Sequence, residues 1–120
     1  MAVRVLIVDD HKAIRIGIRT MLTDMSPLEV CGEAEDGLDA LQKVVELSPD
    51  VVILDLTMPG MNGFETAGQM RLIAPSMKII FYSLHDVPAV VWLSGADAFV
   101  SKSSDPHELA MAVNRVLQPT

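Results

Sequence analysis

The chain is poor in cysteine, aromatic residues and basic charge, and none of its apolar runs is long enough to span a bilayer. The single cysteine, Cys31, excludes an intramolecular disulfide. Its place between Val30 and Gly32 in an apolar run points to a buried thiol, not a nucleophile. Nine Lys and Arg against 16 Asp and Glu give a net charge of -7. Such a surplus repels phosphate backbones, so any contact with DNA requires another domain or a partner. The N-terminal residues enter a strand pattern directly, without a signal peptide, and the expectation is a cytoplasmic protein with no membrane partner. At 120 residues the chain fits one domain, able to bury about two thirds of its unfolded surface without metals or disulfides.

What is present is organised around Asp50 to Gly60. Val51 to Leu54 form an apolar run that ends in a carboxylate, Asp55, and is stopped by Pro59 and Gly60. Short β-branched runs bounded by turn signals read as strands covered on both faces, as in a parallel sheet. Similar runs occur at Val3 to Val8, Leu28 to Ala34, Met77 to Tyr82 and Ala98 to Val100. Between them, apolar residues recur at helical spacing from Lys12 to about Asp24, from Gly37 to Ser48-Pro49, and from Asn62 to just ahead of Pro75. A short helix is expected from His85 to Ser94, against the poor propensity of its β-branched residues and Pro88. Asp105-Pro106-His107-Glu108 supplies a cap, a first-turn proline and an acid for the last helix. Alternating strands and helices predict a three-layer α/β domain over residues 1–120, with a mostly parallel sheet.

In open sheets of this kind, ligands bind beyond the C-terminal ends of the strands. Four strands deliver polar residues there: Asp9-Asp10, Asp55, Ser83 and, two residues past Val100, Lys102. Three gathered carboxylates repel one another and keep their charge only around a cation. Mg²⁺ suits them, because it takes one or two carboxylates and leaves room for phosphate oxygens. With a lysine and a hydroxyl beside the metal, the pattern points to phosphoryl transfer onto a carboxylate, an aspartyl-phosphate site.

The same residues, with Met58-Pro59-Gly60-Met61-Asn62-Gly63, resemble the receiver domain of bacterial two-component response regulators along the whole chain. The resemblance implies a flavodoxin-like (βα)5 fold with strand order 2-1-3-4-5 and a signalling switch rather than an ordinary enzyme. It implies that Asp55 accepts a phosphoryl group from a sensor histidine kinase or phosphotransfer protein. Asp10, Asp55 and the main-chain carbonyl of Thr57 would bind Mg²⁺ directly, Asp9 through water, and Ser83 and Lys102 would hold the phosphoryl oxygens. Ser83 and Phe99 would form the switch, while Thr57 and His85 would tune the rate of phosphate loss. Asp9-Asp10-His11 and Lys102-Ser103-Ser104-Asp105-Pro106 are similar to the NarL/FixJ (LuxR-type) class, whose members usually carry a C-terminal helix-turn-helix for transcription regulation. No such segment lies within these residues.

The segment from Ser83 to Gly95 is about one helical turn shorter than the family pattern, which predicts that this face does not form the usual phosphorylation-dependent homodimer. His11, His85 and His107 are dispersed, which weighs against a histidine metal site. Lys12, Arg15 and Arg19 read as a solvated helix face, with a further expectation that they contact the kinase. Two other functions compete. A phosphohydrolase with an aspartate nucleophile would want a second acid where Thr57 stands. A phosphorylation-independent binding module would not need every site residue, yet all are present.

Overall fold

The computed structural model describes residues 2–25, 27–58, 60–84 and 95–118. The helix expected from His85 to Ser94, with Trp92, and the tuning residue His85 lie outside the described residues. The described elements are β1 (Val3–Val8), α1 (Lys12–Thr23), β2 (Leu28–Ala34), α2 (Gly37–Leu47), β3 (Val51–Leu54), α3 (Gly63–Ile73), β4 (Lys78–Ser83), β5 (Ala98–Ser101) and α4 (Pro106–Leu117). The strands form one parallel sheet of order β2-β1-β3-β4-β5, the flavodoxin-like arrangement that the resemblance implied.

Strand side chains alternate between two cores because their period is two. Leu6, Val8, Val52, Leu54, Ile79 and Phe81 meet Ala40 and Val44 of α2 and Ala67 and Met70 of α3. Val5, Ile7, Val51, Ile53 and Ile80 meet Ile18 and Leu22 of α1 and Leu109, Ala112 and Val113 of α4. Burying each large aliphatic side chain contributes roughly 1.5–3 kcal/mol, and β3 is buried along its whole length. This central strand therefore carries Asp55 on a rigid support.

Helix starts follow the expected chemistry. The Asn62 side chain accepts from the Glu65 N–H at 2.9 Å and donates to the Glu65 carboxylate at 3.2 Å. Asp105 accepts from the His107 N–H at 2.9 Å, with Pro106 in the first turn. Asp36 accepts from the Asp39 N–H at 2.8 Å.

Three strand ends and one burial differ from the sequence expectation, β4 starting at Lys78 instead of Met77. β4 runs from Lys78 to Ser83, because Ser83 pairs with Ser101 of β5 and extends both strands by a residue. Cys31 is half-buried instead of buried. It belongs to the edge strand β2 and is the residue passed over where the register shifts between the pairs Val5–Val30 and Leu6–Gly32. Burial nonetheless raises its pKa, so the thiol stays protonated, as expected for a non-nucleophile.

Candidate functional site

The sheet ladder itself aligns the acids. The Asp9 N–H donates to the Ala34 carbonyl at 3.0 Å, the Asp55 N–H to the Val8 carbonyl at 2.9 Å, and the Lys102 N–H to the Ser83 carbonyl at 2.8 Å. Each donation extends the strand by one residue, so Asp9, Asp55 and Lys102 stand at the same sheet edge as Ser83. Behind β3 the chain turns back tightly into α3. A Cβ on Gly63 would come within 2.6 Å of the Asp55 carbonyl oxygen and of Leu56 Cα. Only glycine lets α3 begin this close to the residue that carries the carboxylate.

Asp9, Asp55 and Lys102 are all buried, with 2 %, 4 % and 6 % of their side chains exposed. Lys102 Nζ lies 2.7 Å from Asp9 Oδ2 and 3.5 Å from Asp55 Oδ2. Its ammonium also sits 5.9 Å from the centre of the Tyr82 ring, within range of a cation–π contact. Asp55 Oδ1 accepts the Thr57 N–H at 3.3 Å. Burial foremost, and then the neighbouring Asp9 charge, raise the Asp55 pKa, with Lys102 and the Thr57 N–H opposing them.

Asp10 and His11 complete the group. Ligating atoms of Asp9, Asp10, His11 and Asp55 all lie within 4.8 Å of one another. Asp10 Oδ1 is buried and accepts no hydrogen bond, although His11 Nδ1 is 3.1 Å away. A buried carboxylate oxygen left in this state beside two further carboxylates has the chemistry of a hard-cation ligand, so the donor set fits Mg²⁺. His11 is exposed and also stands 3.2 Å from Asp9 Oδ1. The sequence reading set it aside, and its position directly after the two acids was the available signal.

Ser83 is buried at the end of β4, and Thr57 is exposed on the loop after β3. Phe99 is half-buried and packs with the α2/α3 core, opposite Phe81 in the β4–β5 register. Phe81 in turn meets Phe64 edge-on, with ring centres 5.7 Å apart.

Arg15 corrects the solvated-face reading. With 14 % of its side chain exposed, it donates to Glu33 at 3.0 Å and to the Asp9 carbonyl at 2.7 Å. Lys12 is exposed, and Arg19 binds the other Glu33 oxygen at 2.7 Å. Burial alone would raise the Glu33 pKa, but hydrogen bonds from Arg19 and Arg15 outweigh it and hold the carboxyl below its usual value.

Residues 5–114 match the family model of the response regulator receiver domain. The response regulator UvrY of Escherichia coli K12 is 37% identical over 117 residues, covering 95% of this chain and 54% of UvrY. A LuxR-family two-component response regulator from Aurantimonas sp. SI85-9A1 superposes with a TM-score of 0.92 at 33% identity, covering 98% of this chain and 86% of that one. The isolated REC domain of RcsB from Salmonella enterica serovar Typhimurium, solved with the phosphomimetic BeF3-, gives 0.86 at 27% identity, covering 98% of this chain and all of that one (100%). The chain spans about half the length of the full-length relatives it matches, 54% of UvrY and 56% of the response regulator VraR of Staphylococcus saprophyticus. Among the described residues, no helix is long and apolar enough to cross a membrane.

Proposed function

The chain belongs to the response regulator receiver domains, and from that premise we propose that Asp55 accepts a phosphoryl group from a phosphohistidine donor and that the domain works as a signalling switch. One observation carries the reading: Lys102 is bonded to Asp9 at 2.7 Å and stands off at 3.5 Å from Asp55, beside the unbonded oxygen of Asp10. Asp55 is thus the buried carboxylate with lone pairs free to attack.

Asp10, Asp55 and the Thr57 carbonyl would hold Mg²⁺ directly and Asp9 through water, and the bound ion would neutralise charge on the phosphoryl oxygens. In the transfer, an Asp55 carboxylate oxygen bonds to phosphorus as the P–N bond to the donor imidazole breaks. The imidazole nitrogen keeps the electron pair and takes a proton. The Lys102 ammonium would pair with the incoming phosphoryl oxygens, and the Ser83 hydroxyl would donate to one of them. Hydrolysis later returns the free carboxylate, at a rate set by Thr57 and His85. The domain promotes its own phosphorylation and dephosphorylation, with no separate substrate to turn over.

The added charge, about two units, would draw Ser83 toward the phosphate and let Phe99 turn inward, shifting the population of the adjoining face. Phe99 offers a partner packing surface but no hydroxyl. Membership of the family, and the LuxR-type relatives, support a cognate histidine kinase and an output domain as partners. DNA would be reached through that output domain, consistent with the charge of -7 here.

The test is intact-protein mass after incubation with Mg²⁺ and acetyl phosphate, with Asp55→Ala in parallel. Gain of one phosphoryl group by the parent and not by the variant is expected. Equal gain in both would move the phosphoacceptor elsewhere. No gain in either, with the donor verified on a control receiver, would favour a binding module that works without phosphate.

A further inference from the structure

Asp10 is the acid of the site with the least to hold it. Its side chain is partly exposed and its Oδ1 accepts no hydrogen bond, with only the exposed His11 ring 3.1 Å away, so its place beside Asp9 and Asp55 rests chiefly on its backbone. That backbone is one peptide past Asp9, at a turn crowded with negative charge, where α1 begins without a side-chain cap from His11. Besides the sheet and the Lys102–Asp9 pair at 2.7 Å, hydrogen bonds from His11 and Arg15 restrain the turn. The His11 N–H donates to Asp9 Oδ1 at 2.9 Å, and the Arg15 guanidinium donates to the Asp9 carbonyl at 2.7 Å. The second bond fixes the plane of the Asp9–Asp10 peptide, because rotating that peptide would carry the carbonyl away from the guanidinium and swing Asp10 with it.

Arg15 can act as a fixed post because its other end is anchored. Glu33 lies on β2, opposite Ile7 of β1, and takes the Arg15 Nε at 3.0 Å. The second Glu33 oxygen is held by Arg19, and the Glu33 carbonyl accepts from Lys43 Nζ at 2.5 Å. A guanidinium fork suits this double duty, since it presents two directed donors on one rigid plane.

Building on the Mg²⁺-dependent reading above, we infer that Arg15, seated on Glu33, is a positioning residue that presets the Asp9–Asp10 turn for the divalent cation. It touches neither the phosphoryl group nor the ion. Its contribution is to the affinity for Mg²⁺ rather than to the transfer step, as for partners that orient metal ligands from behind.

The experiment is calorimetric titration of Mg²⁺ into the parent, Arg15→Met, Arg15→Lys and Glu33→Ala, each checked for folding by circular dichroism. Arg15→Met is expected to bind Mg²⁺ about tenfold more weakly. Arg15→Lys keeps one donor for the Asp9 carbonyl but not the fork, and recovers part of that loss. In acetyl phosphate reactions the half-saturating Mg²⁺ concentration shifts with the affinity, while the rate at saturating Mg²⁺ changes far less. Glu33→Ala leaves Arg15 present but unanchored and weakens Mg²⁺ binding by a smaller factor. Parent-like affinity in folded Arg15→Met overturns the inference, and so does parent-like affinity in Glu33→Ala if Arg15→Met does not fold. A parent that binds Mg²⁺ yet gains no phosphoryl group would sink the Asp55 reading alone, because calorimetry reads the acidic turn without phosphorylation.

Discussion

Asp9 and Asp55 occupy equivalent places, one residue past the ends of the neighbouring strands β1 and β3, and both are buried; yet they are held very differently. Asp9 has short bonds to Lys102 and the His11 N–H, at 2.7 and 2.9 Å, and its carbonyl is taken by Arg15. The contacts of Asp55 to Thr57 and Lys102 are longer, 3.3 Å from the Thr57 N–H and 3.5 Å from the Lys102 ammonium. Charge-assisted hydrogen bonds near 2.7–2.9 Å are the strong ones, so the lysine is committed to Asp9 and only leans on Asp55. The difference separates support from reaction. One acid spends its lone pairs on architecture, while the other is buried with few partners and keeps them available.

The largest effect should come from removing the cation they share. Lys102→Met leaves two buried carboxylates without a counter-charge and is expected to cost about 3 kcal/mol in urea unfolding at neutral pH with chelator present. Added Mg²⁺ should return part of it. An unchanged midpoint would mean that neither acid depends on the lysine. Next in size is Asp9→Asn, which breaks the 2.7 Å pair and leaves Lys102 with its weaker neighbour, at about 2 kcal/mol.

The smallest change should have the opposite sign. The folded-state pKa of Asp55 is raised above its ordinary 3.8, so the folded protein holds the proton more tightly than the unfolded chain does. The stability from this preference is full below about 3.8 and is lost as pH rises through the raised folded value. At neutral pH the ionised group is a burden. Asp55→Asn, which cannot ionise, should therefore melt above the parent at pH 7 without Mg²⁺, and the advantage should shrink toward acid pH. If Asp9→Asn and Asp55→Asn shift the melting temperature in the same direction, the contrast between the two acids fails.

Much of this was legible in the sequence because strands end where apolar runs meet acids. Val3 to Val8 and Val51 to Leu54 point to Asp9 and Asp55, and the order of the strands came with the family resemblance. Arg15 was misread for a physical reason. Helical periodicity tells which residues face the core, but a long side chain at the rim can bend over to the sheet edge. Its partner Glu33 lies 18 residues away on the strand β2, beyond any local pattern. Cys31 was misread because an apolar run does not say whether its strand is central or at the edge. Asp97 was not singled out at all, although its side chain accepts from both Arg71 and the Ile79 N–H.

Arg71 has a consequence of its own. From the last turn of α3 it donates to the carbonyls of Pro75, Met77 and Gly95 and to the Asp97 carboxylate. It thereby rivets the entrance of β4 and the approach to β5 to one helix, while β4 itself ends firmly at Ser83. Ser83, paired with Ser101, and Gly95, held by Arg71, are thereby fixed points of the fold. A change at Arg71 would therefore be felt through β5 at the far edge of the sheet, where that strand leads into Lys102.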